Sequence, residues 1–145
     1  MTKRKVRYGN CYRCVYSWRM RKQYPMTCPR CKSRFWNVPK IRPVVLGKGL
    51  GIEEILGPHR REILRLARKY GAKDIRVFGS VRRREATRTS DVDLLVVWKR
   101  GTSPLARFDL ETALESVVGR TVQVAATENI PWTFRPEVEA EAVRW

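Results

Sequence analysis

The stretch GSVRRREATRTSDVD, Gly79 to Asp93, sets a Gly-Ser pair ten residues ahead of an Asp-x-Asp, with almost everything between them small or basic. Asp91 and Asp93 are two residues apart, and strand side chains alternate, so on a strand both carboxylates project from one face. Two hard oxygen donors on one face suit Mg²⁺, which prefers to be shared between carboxylates and substrate phosphates. A buried strand would not tolerate two such carboxylates without a cation. Gly79-Ser80 falls where a strand turns into a short helix, and a helix start gathers unpaired N–H groups and positive dipole charge that a phosphate fits. Ser90 is expected to stabilise the turn just ahead of the carboxylates. These types and spacings suit a metal–triphosphate site.

Such a site needs a rigid frame, and the flanking sequence offers one. GPHRREILRLARKYG (57–71) opens with Pro58 and closes at Gly71, and Leu56, Ile63, Leu66, Ala67 and Tyr70 recur at helical spacing. DIRVFGS (74–80) reads as a short strand ending in a turn. VDLLVVW (92–98) is almost continuously apolar, as in a strand buried on both faces. PLARFDLETALESVVG (104–119) predicts a helix ended by Gly119, TVQVA (121–125) a third strand, and FRPEVEAEAVRW (134–145) a closing helix. The order predicts an α/β domain, a small mixed sheet flanked by helices. His59, the only histidine, stands near a helix start with no nucleophile pattern or ligand cluster beside it, and is expected at the surface.

Charge marks a boundary ahead of this domain. The net charge of +17 divides into +13 over residues 1–43, which hold no acid, and +4 over residues 44–145. The front section also holds all four cysteines, Cys11, Cys14, Cys28 and Cys31, as two C-x2-C pairs thirteen residues apart. Each pair can form a turn presenting two thiolates, and together they suit one tetrahedral Zn²⁺ in a closed, structural site. Disulfides or a redox dithiol are the weaker reading in a reducing compartment. NVPKIRPVVLGKGLG (37–51) has the Pro and Gly content of a linker. The expected division is a zinc ribbon over 1–42, a linker over 43–51 and a catalytic domain over 52–145.

Seven of the fourteen aromatics lie in the ribbon: Tyr8, Tyr12, Tyr16, Trp18, Tyr24, Phe35 and Trp36. Trp18 and Trp36 are expected beside the metal. The remaining basic, aromatic surface suits nucleic acid, an acidic protein surface or simple solvation, since charge alone does not choose. No stretch approaches the roughly 20 apolar residues of a membrane span, and no apolar segment of a secretory signal follows the basic start Met1-Thr-Lys-Arg-Lys. A cytoplasmic protein is expected.

Gly79-Ser80, ten residues, Asp91-Val92-Asp93-Leu94 resembles the signature of the DNA polymerase β-like nucleotidyltransferases, and in size the minimal nucleotidyltransferase domains, over roughly residues 52–145. CYRCVYSWRMR and CPRCKSRFWNVP are similar to zinc ribbons attached to small archaeal and bacterial proteins, a likeness that implies a fold and no activity. The first resemblance implies transfer of a nucleoside monophosphate from a triphosphate such as ATP. It assigns Mg²⁺ to Asp91 and Asp93 as catalytic residues and the phosphates to Gly79 and Ser80. Arg82, Arg83 and Arg84 match a region where relatives commonly carry a basic residue that meets the triphosphate or stays solvated; of the three, the resemblance assigns nucleotide binding to Arg82. Many small relatives act as antitoxins beside HEPN-domain toxins, some adenylylating a toxin tyrosine. One departure stands out. GRTVQVA (119–125) aligns with relatives that carry a third acid where this chain has Gln123. Gln offers a carbonyl oxygen but accepts no proton. Glu128 is the nearest acid along the chain that could stand in. Two functions follow: an active nucleotidyltransferase, or a catalytically weakened nucleotide-binding module whose basic ribbon captures nucleic acid or a partner protein.

Overall fold

The structure is a computed structural model that describes residues 7–21 and 25–145; Tyr24 and the basic start lie outside the described residues. The front section is built around its cysteines. Strands β1 (Tyr8–Asn10) and β2 (Ser17–Arg19) pair antiparallel, with Gly9 opposite Trp18. A side chain at Gly9 would run into the Trp18 ring, so that ring lies flat over the backbone. Trp18 meets Trp36 edge-on at 5.0 Å, and Trp36 Nε1 donates to the Pro25 carbonyl at 3.0 Å. Cys11, Cys28 and Trp36 are buried with Cys14, Trp18 and Met20 against them, so the two tryptophans do pack beside the cysteines.

The second section is an α/β domain. Its elements are α1 (Ile52–Ile55), a 3₁₀ turn over Gly57–His59, α2 (Arg60–Lys69), β3 (Ala72–Phe78), α3 (Gly79–Arg83), β4 (Val92–Trp98), α4 (Ala106–Val118), β5 (Val122–Ala126), α5 (Arg135–Glu141) and β6 (Val143–Arg144). The sheet order is β5-β4-β3-β6, with β4 and β5 parallel and the other pairs antiparallel. Ile63, Leu66 and Ala67 of α2 and Leu110 and Leu114 of α4 cover one face, against Ile75, Val77, Val92, Leu94, Val96, Val122 and Val124. Burial of these side chains drives the fold, each worth about 1.5–3 kcal/mol when fully removed from water. Gly119 caps α4 in the left-handed conformation at φ +69°, where a side chain would be strained.

Two expectations are corrected. Pro58 sits in the 3₁₀ turn and the regular helix starts at Arg60. Gly79 and Ser80 open α3 where β3 stops at Phe78, the strand-to-helix turn expected of them. The closing helix ends at Glu141: Ala142 turns extended, and Val143 and Arg144 pair with Val77 and Arg76. The outer edge of β3 would otherwise present unpaired backbone groups, and Arg144 adds an ion pair to Asp74 at 3.2 Å.

The glycine-rich segment before α1 is held rather than loose. Gly47 donates to the Arg83 carbonyl at 2.7 Å, Gly49 to that of Arg84 at 2.6 Å and Leu50 to that of Ala86 at 2.9 Å. A Cβ at Gly47 would come within 2.6 Å of the Arg84 carbonyl oxygen, so close backbone approach explains the glycine.

Candidate active site

The site grows out of the crossing of β3 and β4. Phe78, the last residue of β3, pairs with Asp93 near the start of β4. The chain then bends through Gly79 at φ +74°, a left-handed conformation, and a Cβ there would collide with Asp93 Oδ2. The Gly-Ser turn and the second carboxylate are therefore packed directly together, and only glycine allows it. Ser80 is half-buried, and its carbonyl accepts from the Glu85 amide at 2.9 Å. The Thr87 amide donates to Ser90 Oγ at 2.8 Å, which makes Ser90 the turn residue expected of it.

Asp91 is exposed and stands just before β4, while Asp93 is half-buried within it. Across the parallel pairing Asp93 is opposite Gln123, and Gln123 Nε2 donates to Asp91 Oδ2 at 3.2 Å. Val122 and Val124 are buried on the helix-covered face, so Gln123 shares the other face with the carboxylates, as alternation requires. Burial, then the charge of Asp91, pushes the Asp93 carboxyl above its ordinary range; Glu141 adds to the rise and Arg83 opposes it. Desolvation combined with a like charge is the setting in which a bound cation is most strongly favoured. A cleft of about 230 Å³ adjoins these groups, lined by Phe78, Asp93, Gln123, Ala125, Ile130 and Pro131 among others.

The three arginines after Ser80 are each engaged by the protein. Arg82 Nε donates to the main-chain carbonyl of Glu141 at 3.2 Å. Arg83 reaches Glu85 Oε2 and Glu141 Oε1, both at 2.8 Å. Arg84 pairs with Glu54 Oε1 at 2.5 Å. Glu141 also takes the Gly79 amide at 2.8 Å, so the acid that reaches the turn is Glu141. Glu128 lines a different cleft, with Trp98, Arg100, Arg107 and Phe108. No local sequence signal pointed to Glu141, because its place depends on the pairing of β6 with β3. His59 ends the 3₁₀ turn, partly exposed and away from these groups.

The cysteines form a second centre. All four sulfurs lie within 4.8 Å of one another, with Cys11–Cys31 and Cys14–Cys28 both at 3.7 Å. A disulfide needs about 2.05 Å; four thiolates at about 2.3 Å from a tetrahedral zinc ion stand about 3.8 Å apart. The cluster therefore has the dimensions of a four-thiolate metal site. The two pairs sit on matching turns: Val15 donates to the Cys11 carbonyl and Lys32 to that of Cys28, both at 2.9 Å, and both donors have φ of 60°. The thiols titrate together: burial pushes Cys14 up to about 11, whereas at Cys28 the Cys31 and Arg30 amides outweigh burial and draw the group down to about 7, so the sulfur geometry rather than either value carries the metal reading.

The family profile described as nucleotidyltransferase domain matches residues 60–145, more than half of the chain. The chain belongs to the nucleotidyltransferase-domain family. A protein named as a candidate protein adenylyltransferase of Methanocaldococcus jannaschii is 36% identical over 84 residues, 58% of this chain and 90% of that protein. Protein adenylyltransferase MntA of Thermococcus cleftensis is 38% identical over 92 residues, 63% of this chain and 90% of that one. A solved structure described as a candidate minimal nucleotidyltransferase matches with TM-score 0.58 at 36% identity, covering 67% of this chain and 98% of its own. A toxin–antitoxin structure with AMP-PNP matches with TM-score 0.53 at 22% identity, over 60% of this chain and 73% of its own, a likeness of fold. As a nucleotidyltransferase, the chain carries its cysteine cluster ahead of the residues that the family profile matches.

Proposed function

We propose that this chain is a Mg²⁺-dependent nucleotidyltransferase that moves AMP from ATP onto a partner protein, as the antitoxin of a pair whose toxin carries a HEPN domain. One observation carries the reading: Asp93, on the same strand face as Asp91, is packed against the left-handed Gly79 that opens the Gly-Ser turn. Two relatives at 36% and 38% identity whose names give protein adenylyltransferase add support. Gly79, Ser80 and Arg82 take the triphosphate, and Asp91 and Asp93 are the residues that would hold Mg²⁺. Mg²⁺ bound there neutralises phosphate charge and stabilises the attacking and leaving oxygens. An acceptor hydroxyl oxygen bonds to the α-phosphorus, the α–β anhydride bond breaks, and pyrophosphate leaves with the electron pair. The hydroxyl proton passes to a carboxylate of the pair or to water.

Cys11, Cys14, Cys28 and Cys31 hold one structural Zn²⁺, and the chain divides into a ribbon over 1–42, a linker over 43–51 and the transferase domain over 52–145. Among the described residues no helix is long and apolar enough to cross a membrane, in keeping with action in the cytoplasm. A second reading, a binding module with weakened catalysis, is favoured by one contact: Gln123 donates its amide to Asp91 where a proton acceptor is wanted. In that reading the ribbon captures nucleic acid or an acidic partner, through surfaces such as Arg30 set 5.6 Å over the Tyr16 ring. Labelled AMP transfer from α-labelled ATP to candidate partner proteins decides between them. Label on the partner, lost in Asp91→Ala/Asp93→Ala, supports transfer; Mg–ATP binding without any label supports the second reading.

A further inference from the structure

Glu141 ends α5 and stands two residues ahead of the start of β6. β6 is hydrogen-bonded to β3 through Val77 and Val143, and β3 is the strand that delivers Gly79 and Ser80. One strand thus anchors both the turn and the segment that reaches back to it. The Glu141 side chain is only 14% exposed. Its Oε1 accepts from the Gly79 amide and from Arg83 Nη1, each at 2.8 Å, while its main-chain carbonyl accepts from Arg82 Nε at 3.2 Å. Three donors of the turn and its helix therefore end on one residue from the far end of the chain.

Hydrogen bonds to a charged, largely desolvated carboxylate are about twice as strong as neutral ones. Glu85 also pairs with Arg83 at 2.8 Å, but its side chain is 51% exposed, so Glu141 is the more buried of the two partners. Gly79 is left-handed and has no Cβ, and the Asp93 carboxylate presses on it from one side.

We propose that Glu141 is a positioning residue of the nucleotide site: it fixes the Gly79 amide and, through its bonds to Arg83 Nη1 and Arg82 Nε, holds in place the short helix from which Arg82 meets the triphosphate. The inference rests on the reading of Gly79, Ser80, Asp91 and Asp93 as that site. Glu141 acts through Gly79, Arg82 and Arg83. It makes no step of the reaction itself.

The test uses the full zinc-loaded chain. Mg–ATP affinity is measured by calorimetry, and melting curves are recorded, for wild type, Glu141→Gln, Glu141→Ala, Arg83→Gln and the Glu141→Gln/Arg83→Gln double variant. Glu141→Gln keeps an acceptor for the Gly79 amide and loses the charge that holds Arg83; about tenfold weaker Mg–ATP binding is expected, with a larger loss in Glu141→Ala. Because the charge of Glu141 works through Arg83, the double variant should bind about as weakly as Arg83→Gln alone. Binding equal to or tighter than wild type in a folded Glu141→Gln overturns the proposal, as do fully additive losses. Failure of both Glu141 variants to fold also overturns it, since the residue then serves stability alone. The underlying reading has its own control. If Asp91→Ala/Asp93→Ala binds Mg–ATP as well as wild type, the nucleotide lies elsewhere whatever Glu141 does.

Discussion

Gln123 donates its side-chain amide to Asp91 Oδ2 at 3.2 Å, across the parallel pairing that sets it opposite Asp93. The contact neutralises nothing, and on the proposed reading of the site it stands where a third proton acceptor would serve transfer. A positioned acceptor contributes about 10² to 10⁴ in rate. Gln123→Asp is therefore expected to raise AMP transfer at least tenfold while changing Mg–ATP affinity less. Labelled transfer from α-labelled ATP, wild type and variant side by side, is the measurement. A fast wild type and a slower variant would show that this position is not the vacant catalytic one.

The pH response of Asp93 carries two opposite signs. Burial, the charge of Asp91 and that of Glu141 raise its affinity for a proton in the folded chain, against Arg83. The folded state then binds more protons than the unfolded one between the ordinary Asp value of about 3.9 and the raised value. In metal-free protein this group's contribution to stability falls as pH rises through that window and returns as pH falls. If Asp93 holds Mg²⁺ as proposed, Mg²⁺ affinity is expected to move the other way, because a protonated carboxyl is a poor ligand. Urea denaturation without Mg²⁺ from about pH 4 to 7 should show the slope in wild type and its loss in Asp93→Asn. Parallel curves for the two proteins would remove Asp93 as the source.

Gly79→Ala tests the close packing of turn and carboxylate. The new methyl must occupy the space of Asp93 Oδ2 and the residue must stay at φ +74°. A left-handed non-glycine residue alone costs about 1–3 kcal/mol. The variant should melt lower and lose Mg–ATP binding, whereas Gly101→Ala, also at positive φ but with nothing within 4 Å of its Cβ position, should lose only stability. Comparison of the two by calorimetry and thermal melting separates strain from collision.

Local patterns were legible where a single element decides the outcome. The apolar run 92–98 became β4 without a shift in bounds, Gly119 capped its helix, and the paired C-x2-C spacing brought four sulfurs together. The last four residues, 142–145, were not legible, because Ala and Glu favour a helix and the competing force, the open edge of β3, lies far earlier in the chain. Glu141 was missed for the same reason. The glycines of 47–51 read as a linker by composition, yet Gly47 and Gly49 are there to approach the Arg84 and Ala86 carbonyls. Close backbone approach and flexibility have the same signature in a sequence.

Metal removal tests the ribbon apart from the transferase domain. The front section buries little besides Cys11, Cys28, Trp36 and their neighbours, and segments below about 40 residues seldom fold on apolar burial alone. One Zn²⁺ per chain is expected in protein purified without added zinc. Chelation should expose Trp18 and Trp36, giving a red-shifted tryptophan emission, while the helical signal of α2 and α4 persists because their core is separate. Acidification should act like chelation, since protons compete with the metal for the thiolates. Cys28→Ser should show the chelated spectrum without any treatment. Protein free of metal with all four cysteines oxidised would instead favour disulfides. The 3.7 Å separation of the sulfurs argues against that outcome, because a bond between them would require each pair to close by more than an ångström.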